Sequence, residues 1–231
     1  MRQRKFQNID ELNKTIVECR ACPRLVEWRE SVATAKRRQY MDWEYWGKPV
    51  PGFGDTNAQV LLVGLAPAAH GANRTGRMFT GDQSGNWLYG ALHKFGFANQ
   101  PESTGRNDGM RLKNCYISAA VRCAPPANKP TKGEFENCRP YLLQELQLLT
   151  NVRVIIALGK IAFDTVLTCA ELLQWPGFRK KPAFKHGMEV KIRENLYLVA
   201  SYHPSQQNTF TGKLTKRMFH SVFKTASHLL R

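Results

Sequence analysis

Four of the six cysteines form two pairs whose spacing suits a metal centre. Cys19 and Cys22 enclose two residues, whereas Cys123 and Cys138 are separated by fourteen. Thiolates bind both zinc and iron–sulfur clusters, so the spacing predicts a metal centre without choosing between the two. Simple burial of the thiols is the alternative. The other two cysteines fall in strand and helix patterns and are predicted to be core residues: Cys115 and Cys169.

A second chemical candidate is a segment rich in glycine and alanine, residues 64–82. Small residues let a ligand approach the backbone closely. We expect Arg74 and Arg77 to hold phosphates and Phe79 to stack on a base, with core packing as the alternative for Phe79. Neither common phosphate-loop pattern, GxxxxGK[ST] or GxGxxG, is present, which disfavours a nucleotide-phosphate loop.

Two further side chains could act on a ligand. Asp82 ends the glycine-rich segment and is a candidate carboxylate, although an Asp after a glycine is also typical of a turn or a helix cap. His203 directly follows an apolar run and opens a polar loop, residues 204–215, that could follow a phosphate backbone or enter a groove. The alternatives are a structural histidine and an ordinary surface loop whose Thr215 caps the last helix.

The arrangement of apolar segments predicts which fold positions these residues. Four short apolar runs, at 59–65, 114–121, 152–158 and 196–202, are predicted to be buried strands. Helical patterns separate them, which predicts one α/β domain over residues 1–231 with a mostly parallel sheet covered on both faces. Ligands of such sheets bind beyond the carboxyl ends of the strands. The glycine-rich segment and His203 both lie at such ends.

Helix starts can also be predicted. Asp10 is expected to cap the first helix, and Thr131 with Glu134 has the spacing of a capping box. A later helical pattern follows Ser84.

The charge of the chain narrows the choice of partner. The formal net charge is +16, from 34 Lys and Arg against 18 Asp and Glu. Lys and Arg residues that cluster in the sequence favour a polyanion such as nucleic acid as the partner. Binding them neutralises phosphates and releases the counterions held there. No apolar run is long enough to cross a membrane, and no apolar stretch follows the basic N-terminus. We therefore expect a cytosolic protein without a membrane partner.

Several of these segments together resemble the uracil-DNA glycosylase superfamily, and specifically its family 5. They occur in the expected order: GLAPAAHGANRTGRMFTGDQSG, VRCAPPANKP, the C-x14-C spacing and HPSQQNTFTGKLT. The resemblance covers nearly the whole chain. It implies an α/β/α sandwich with a central parallel four-stranded sheet. It also implies a structural [4Fe–4S] cluster ligated by Cys19, Cys22, Cys123 and Cys138.

The resemblance further implies a DNA glycosylase that flips a deaminated base into a pocket and hydrolyses its glycosidic bond. Phe79 would stack on the base, Asn128 would read the base edge or orient water, and His203 would donate to the base oxygen. Asp82 would position the attacking water. The pocket is also expected to use Gly64, Ala66 and Ala68, whose backbone amides can act as donors. The loop residues expected to contact DNA are Ser205, Asn208, Thr209, Thr211 and Lys213.

One feature separates this chain from other branches of the superfamily. They carry an acid or amide in the first motif, whereas here the tetrapeptide is Gly64-Leu65-Ala66-Pro67, as is typical of family 5. A pocket that depends less on polar pairing rejects analogues weakly, so hypoxanthine and xanthine are expected substrates beside uracil.

We expect the protein to be a monomer in the cytoplasm, associated with the nucleoid. Two alternative functions are a non-catalytic nucleic-acid-binding protein with a four-cysteine zinc site, and an enzyme acting on free nucleotides or phosphoesters.

Overall fold

Six strands form one sheet in the computed structural model, which describes residues 5–175 and 177–231. The strands are β1 Phe53–Gly54, β2 Val60–Gly64, β3 Cys115–Ala119, β4 Val154–Leu158, β5 Glu189–Arg193 and β6 Leu196–Ser201. Their order in the sheet is β1-β3-β2-β4-β6-β5. The four central strands are parallel and match the predicted ones, whereas β1 and β5 add antiparallel edges. The prediction of four strands therefore omitted both edges.

The omission has a physical cause. Three of the central strands are buried along their full length and β6 at every position but Tyr197, so they read as continuous apolar runs. In β5, buried and exposed residues alternate, and three of its five residues are charged. The other missed edge, β1, has only two residues.

Helices cover both faces of the sheet. They are α1 Ile9–Val17, α2 Pro23–Ala35, α3 Ala72–Thr75, α4 Gln83–Lys94, α5 Lys132–Leu148, α6 Lys160–Leu172, α7 Gln206–Phe210 and α8 Lys216–Leu229. One core packs α1, α5 and α6 against strand residues such as Leu61 and Ile155. The other core packs α4 and α8 against their sequence neighbours, such as Leu62 and Ile156. Alternate strand residues thus face opposite cores, which confirms the three-layer α/β/α prediction.

Side-chain caps fix where several helices begin. Asn8, rather than the predicted Asp10, caps α1, because its side chain accepts from the Glu11 amide at 2.9 Å. Thr131 and Glu134 form the predicted capping box of α5. Thr215 caps α8.

A buried ion pair joins the sheet to α5. Arg122 and Glu145 are 1% and 0% exposed, and their side chains bond directly. Ser118, on β3, donates to the same Glu145 oxygen at 2.5 Å. Such a pair is costly to break on one side, because it leaves an unpaired buried charge.

No helix among the described residues is long and apolar enough to span a membrane.

Candidate active site

A cleft of about 800 Å³ opens at the carboxyl ends of the parallel strands. Its walls include Phe79, Asp82, Asn128 and His203, which come from three separate segments of the chain. The cleft volume is within the range of small-molecule pockets. The structure therefore brings together the four side chains for which chemistry was predicted.

Phe79 forms part of the cleft floor and is held there by an unusual backbone. Its ring is 6% exposed, and its φ is +56°, a left-handed conformation that costs a non-glycine residue about 1–2 kcal/mol. Two glycines make room for it. A Cβ at Gly64 would lie 2.7 Å from the ring, and a Cβ at Gly85 would lie 1.7 Å from the Phe79 carbonyl oxygen. Local strain of this kind is typical of binding sites.

Asp82 has two roles in the structure. It is the N-cap of α4, where its Oδ1 accepts from the Gly85 amide at 2.9 Å, and it also lines the cleft. The helix-cap expectation for Asp82 is therefore confirmed, and α4 begins two residues earlier than the helical pattern predicted after Ser84. Burial raises the pKa of Asp82, while the amides of Gly85 and Ser84 and the charge of Arg74 act in the opposite direction.

The Asp82 side chain also lies against the backbone of Gly71, earlier in the same glycine-rich segment. A Cβ at Gly71 would lie 2.4 Å from its Oδ2. Only glycine lets the backbone come this close to the carboxylate.

His203 stands at the end of β6 with its ring beside Phe79. The ring centroids are 5.9 Å apart. Burial lowers the pKa of His203 to about 4, so its imidazole is neutral at physiological pH. Within the described chain its ring nitrogens have no hydrogen-bond partner, whereas its carbonyl accepts from the Asn208 side chain at 2.9 Å. The ring is therefore positioned by backbone contacts and can donate to a ligand.

Asn128 reaches the cleft from a short turn, Pro126–Asn128, that follows Cys123 in the chain. Ala127 and Asn128 both have left-handed backbones, with φ of +51° and +56°. Asn tolerates this conformation better than most residues. Its exposed amide offers both a donor and an acceptor to a ligand edge.

The structure gives Arg74 and Arg77 a role other than the predicted phosphate contact. Arg77 is 5% exposed and pairs with Asp108 at 2.7 Å. Arg74 is 3% exposed, and its guanidinium is stacked 3.9 Å from the Tyr40 ring and 4.1 Å from the Trp43 ring. The phosphate prediction for both is corrected, because their charged groups are buried and occupied by protein contacts.

The loop predicted at 204–215 contains a short helix, α7. Ser205 caps it by accepting from the Asn208 amide. The hydroxyls of Thr209 and Thr211 bond to backbone carbonyls one turn earlier. The ammonium of Lys213 lies 5.1 Å from the Tyr202 ring. Of these DNA-contact predictions, only Ser205 lines the cleft itself.

Some cleft residues were missed from the sequence. Arg37, Gln39 and Tyr40 line one wall, and none of them was a predicted site residue. His70 lies nearby, with its Nδ1 3.1 Å from the Tyr45 hydroxyl. Burial, followed by the charges of Arg37 and Arg74, lowers the pKa of His70. These contacts join residues far apart in the chain, which the sequence pattern does not show.

All four paired cysteines line one small cavity. It lies between α2, the segment after β3, and α5. Within the described ranges, no three His, Cys, Asp or Glu side chains converge closely enough to hold a single metal ion. Burial raises the pKa of Cys123 to about 11 and that of Cys138 to about 12. The predicted core positions of Cys115 and Cys169 are confirmed, since both are fully buried away from this cavity.

The sulfur atoms receive hydrogen bonds from the protein. Arg29 Nη1 lies 3.0 Å from Cys123 Sγ, and the Arg122 amide lies 3.4 Å from Cys138 Sγ. The Asn137 side chain approaches Cys22 Sγ at 3.4 Å. Donors aimed at sulfur, one of them a buried cation, suit thiolates better than neutral thiols.

Comparison with known proteins agrees with this geometry. The sequence model of the "Uracil DNA glycosylase superfamily" matches residues 51–226, which include Phe79, Asp82, Asn128 and His203. This chain belongs to the uracil-DNA glycosylase superfamily.

Within the superfamily, the chain is similar to type-5 proteins. It is 51% identical to the type-5 uracil-DNA glycosylase of Mycobacterium leprae, over 96% of both chains. It is 49% identical to that of Thermus thermophilus, over 94% of this chain and 95% of the relative. A type-4 uracil-DNA glycosylase of Pyrobaculum aerophilum is 31% identical over 69% and 65%. The sequence resemblance to family 5 is therefore confirmed.

Proposed function

We propose that this protein removes uracil from DNA by hydrolysing the glycosidic bond, leaving an abasic site for base excision repair. The observation that carries the proposal is the meeting of Phe79, Asp82, Asn128 and His203 in one cleft of a superfamily member. A base inside a duplex is inaccessible, so it must be flipped out first. A non-catalytic DNA-binding protein would not need these four groups around one pocket.

Bond cleavage places negative charge on the departing base and positive charge on the sugar. His203 is suited to stabilising the negative charge on the base. Its imidazole is neutral and has no ring partner among the described residues, so its N–H can donate to the base oxygen as charge develops. Asp82 is suited to stabilising the positive charge on the sugar, because its carboxylate can orient water and stabilise the sugar cation. Asn128 supplies an amide to the base edge.

The first motif, directly after β2, brings no polar side chain to the cleft. Leu65, Ala66 and Ala68 line the cleft, and none can form a side-chain hydrogen bond to a base. Gly64 lies directly against the Phe79 ring. A site of this kind discriminates weakly between bases, so hypoxanthine and xanthine belong to the proposed substrate range.

A gel assay tests the proposal and the substrate range together. Single- and double-stranded oligonucleotides containing uracil, hypoxanthine or xanthine are incubated with the protein and then treated with alkali. We expect cleavage at all three lesions, with no requirement for an added divalent metal. Absence of cleavage at uracil would overturn the activity, whereas cleavage at uracil alone would overturn only the broad range.

The four-cysteine cavity is the proposed site of a [4Fe–4S] cluster. The donors around the sulfurs fit a negatively charged centre. The bound group would hold α2 next to the segment that carries Cys123 and Asn128, so its contribution is structural.

Phe210 is a candidate wedge for the gap left by the flipped base. It is 74% exposed at the end of α7, one of the largest exposed apolar side chains in the described chain. Apolar wedges inserted between base steps pay part of the cost of unstacking. We expect Phe210→Ser to lower the single-turnover rate on double-stranded uracil DNA about tenfold, with little change on single strands.

The matched control for this prediction is Leu172→Ser. Leu172 is 56% exposed at the end of α6 and does not line the cleft. An equal loss on single- and double-stranded DNA for Phe210→Ser would contradict the wedge role.

We also propose that the protein acts as a monomer in the cytoplasm, in association with the nucleoid. The net charge of +16 supports DNA as its partner. The loop residues Ser205, Asn208, Thr209, Thr211 and Lys213 lie on the segment that holds Phe210 and remain proposed DNA contacts.

A further inference from the structure

Arg29 is a buried cation that donates a hydrogen bond to Cys123, one of the cysteines that line the four-cysteine cavity. The residue is 2% exposed. Its Nη1 lies 3.0 Å from Cys123 Sγ and 3.3 Å from the Cys19 carbonyl oxygen. Its Nε has no hydrogen-bond partner in the described part of the chain. The guanidinium thus places one N–H on the Cys123 sulfur.

The protein supplies little negative charge to balance Arg29. The carboxylate recorded near it is that of Glu30, 3.6 Å from Nη2, and Glu30 is 45% exposed. Glu30 also binds the exposed Arg20 at 2.5 Å. A buried cation without a buried counter-ion is strongly disfavoured.

Arg122, which lines the cavity itself, shows the contrast. It is equally buried, yet it pairs with Glu145, which is 0% exposed. The charge of Arg122 is therefore balanced by a buried carboxylate, whereas that of Arg29 has only the half-exposed Glu30, which Arg20 shares. A negatively charged group in the cavity would complete the environment of Arg29.

We propose that Arg29 balances the negative charge of the cysteine-ligated cluster and sets its reduction potential. The inference rests on the proposed [4Fe–4S] cluster. Reduction adds one electron to a centre that is already negative, and a cation hydrogen-bonded to a ligand sulfur stabilises the added charge. Arg29 therefore raises the potential and favours retention of the cluster.

Voltammetry of the iron-loaded protein tests the proposal. The electrode supplies one electron to the cluster, and the midpoint potential is compared between wild type and Arg29→Gln. We expect the substitution to lower the equilibrium constant for reduction about tenfold, equivalent to about 59 mV for a one-electron couple. Arg29→Lys keeps the charge and should retain most of the wild-type potential.

The control is Arg20→Gln, the same change in a residue adjacent to Cys19 whose side chain is 62% exposed. Solvent screens its charge, so the equilibrium constant should change by about twofold or less. An unchanged potential in iron-loaded Arg29→Gln overturns the proposal. If Arg29→Gln loses the cluster while Arg29→Lys and Arg20→Gln keep it, the charge role is supported.

Equal loss of the cluster in Arg29→Lys and Arg29→Gln would show that shape, and not charge, is required, and would overturn the proposal. Iron and sulfide analysis of the wild type comes first. A wild-type protein with neither would overturn the cluster itself, so the two failures are distinguishable.

Discussion

His203→Ala is expected to lower the single-turnover rate of uracil release about 100- to 1000-fold, the effect of removing one preorganised donor to a developing oxyanion. The ring is held at the end of β6 beside Phe79, with its nitrogens free of protein partners in the described chain. Uracil DNA of fixed length is the substrate, and alkaline cleavage measures product. Affinity for the same DNA, measured by anisotropy at constant salt, should stay close to wild type.

A matched control and a pH profile separate catalysis from structure. His93→Ala removes an exposed histidine of α4 and should leave the rate unchanged. Because burial lowers the pKa of His203 to about 4, its donor is neutral, and its titration should not alter the rate between about pH 6 and pH 8. An equal loss of rate and DNA affinity in His203→Ala would point to a structural role instead.

Glu145→Gln should destabilise the fold by about 3–5 kcal/mol, because it leaves Arg122 buried without a negative partner. The change also weakens the bond from the Ser118 hydroxyl. Urea unfolding of the variant and the wild type, with m-values compared, measures the difference.

Glu136→Gln is the control on the same helix. Glu136 is 49% exposed and lies 3.9 Å from the exposed Lys132, so its loss should cost about 0.5 kcal/mol or less. A similar midpoint for both variants would show that the Arg122–Glu145 pair adds nothing to stability.

The parallel core of the sheet could be predicted because its strands are buried on both faces and their residues are continuously apolar. The edge strand Glu189–Arg193 has no continuous apolar run; its alternating charged and apolar residues instead follow the pattern of a half-buried strand. Helix boundaries depended on which nearby polar residue wins the capping position. Asn8 caps α1 where Asp10 was predicted to do so, and Asp82 caps α4 two residues before Ser84.

The cleft was predictable to the extent that its residues lie at strand ends. Phe79 and Asp82 lie in the segment after β2, and His203 follows β6. The topology of a parallel sheet brings such positions together. The fate of the two arginines was not predictable. Burial of Arg77 depends on Asp108, far along the chain, and that of Arg74 on rings in an irregular segment.

The close fit around Phe79 has a consequence for protein engineering. The ring presses on one glycine, its carbonyl presses on another, and neither Gly64 nor Gly85 has space for even a methyl group without displacing Phe79. Enlarging or reshaping the base pocket at these positions would require simultaneous changes at all three. Redesign of substrate preference should start instead at Ala66 and Ala68, which line the same cleft.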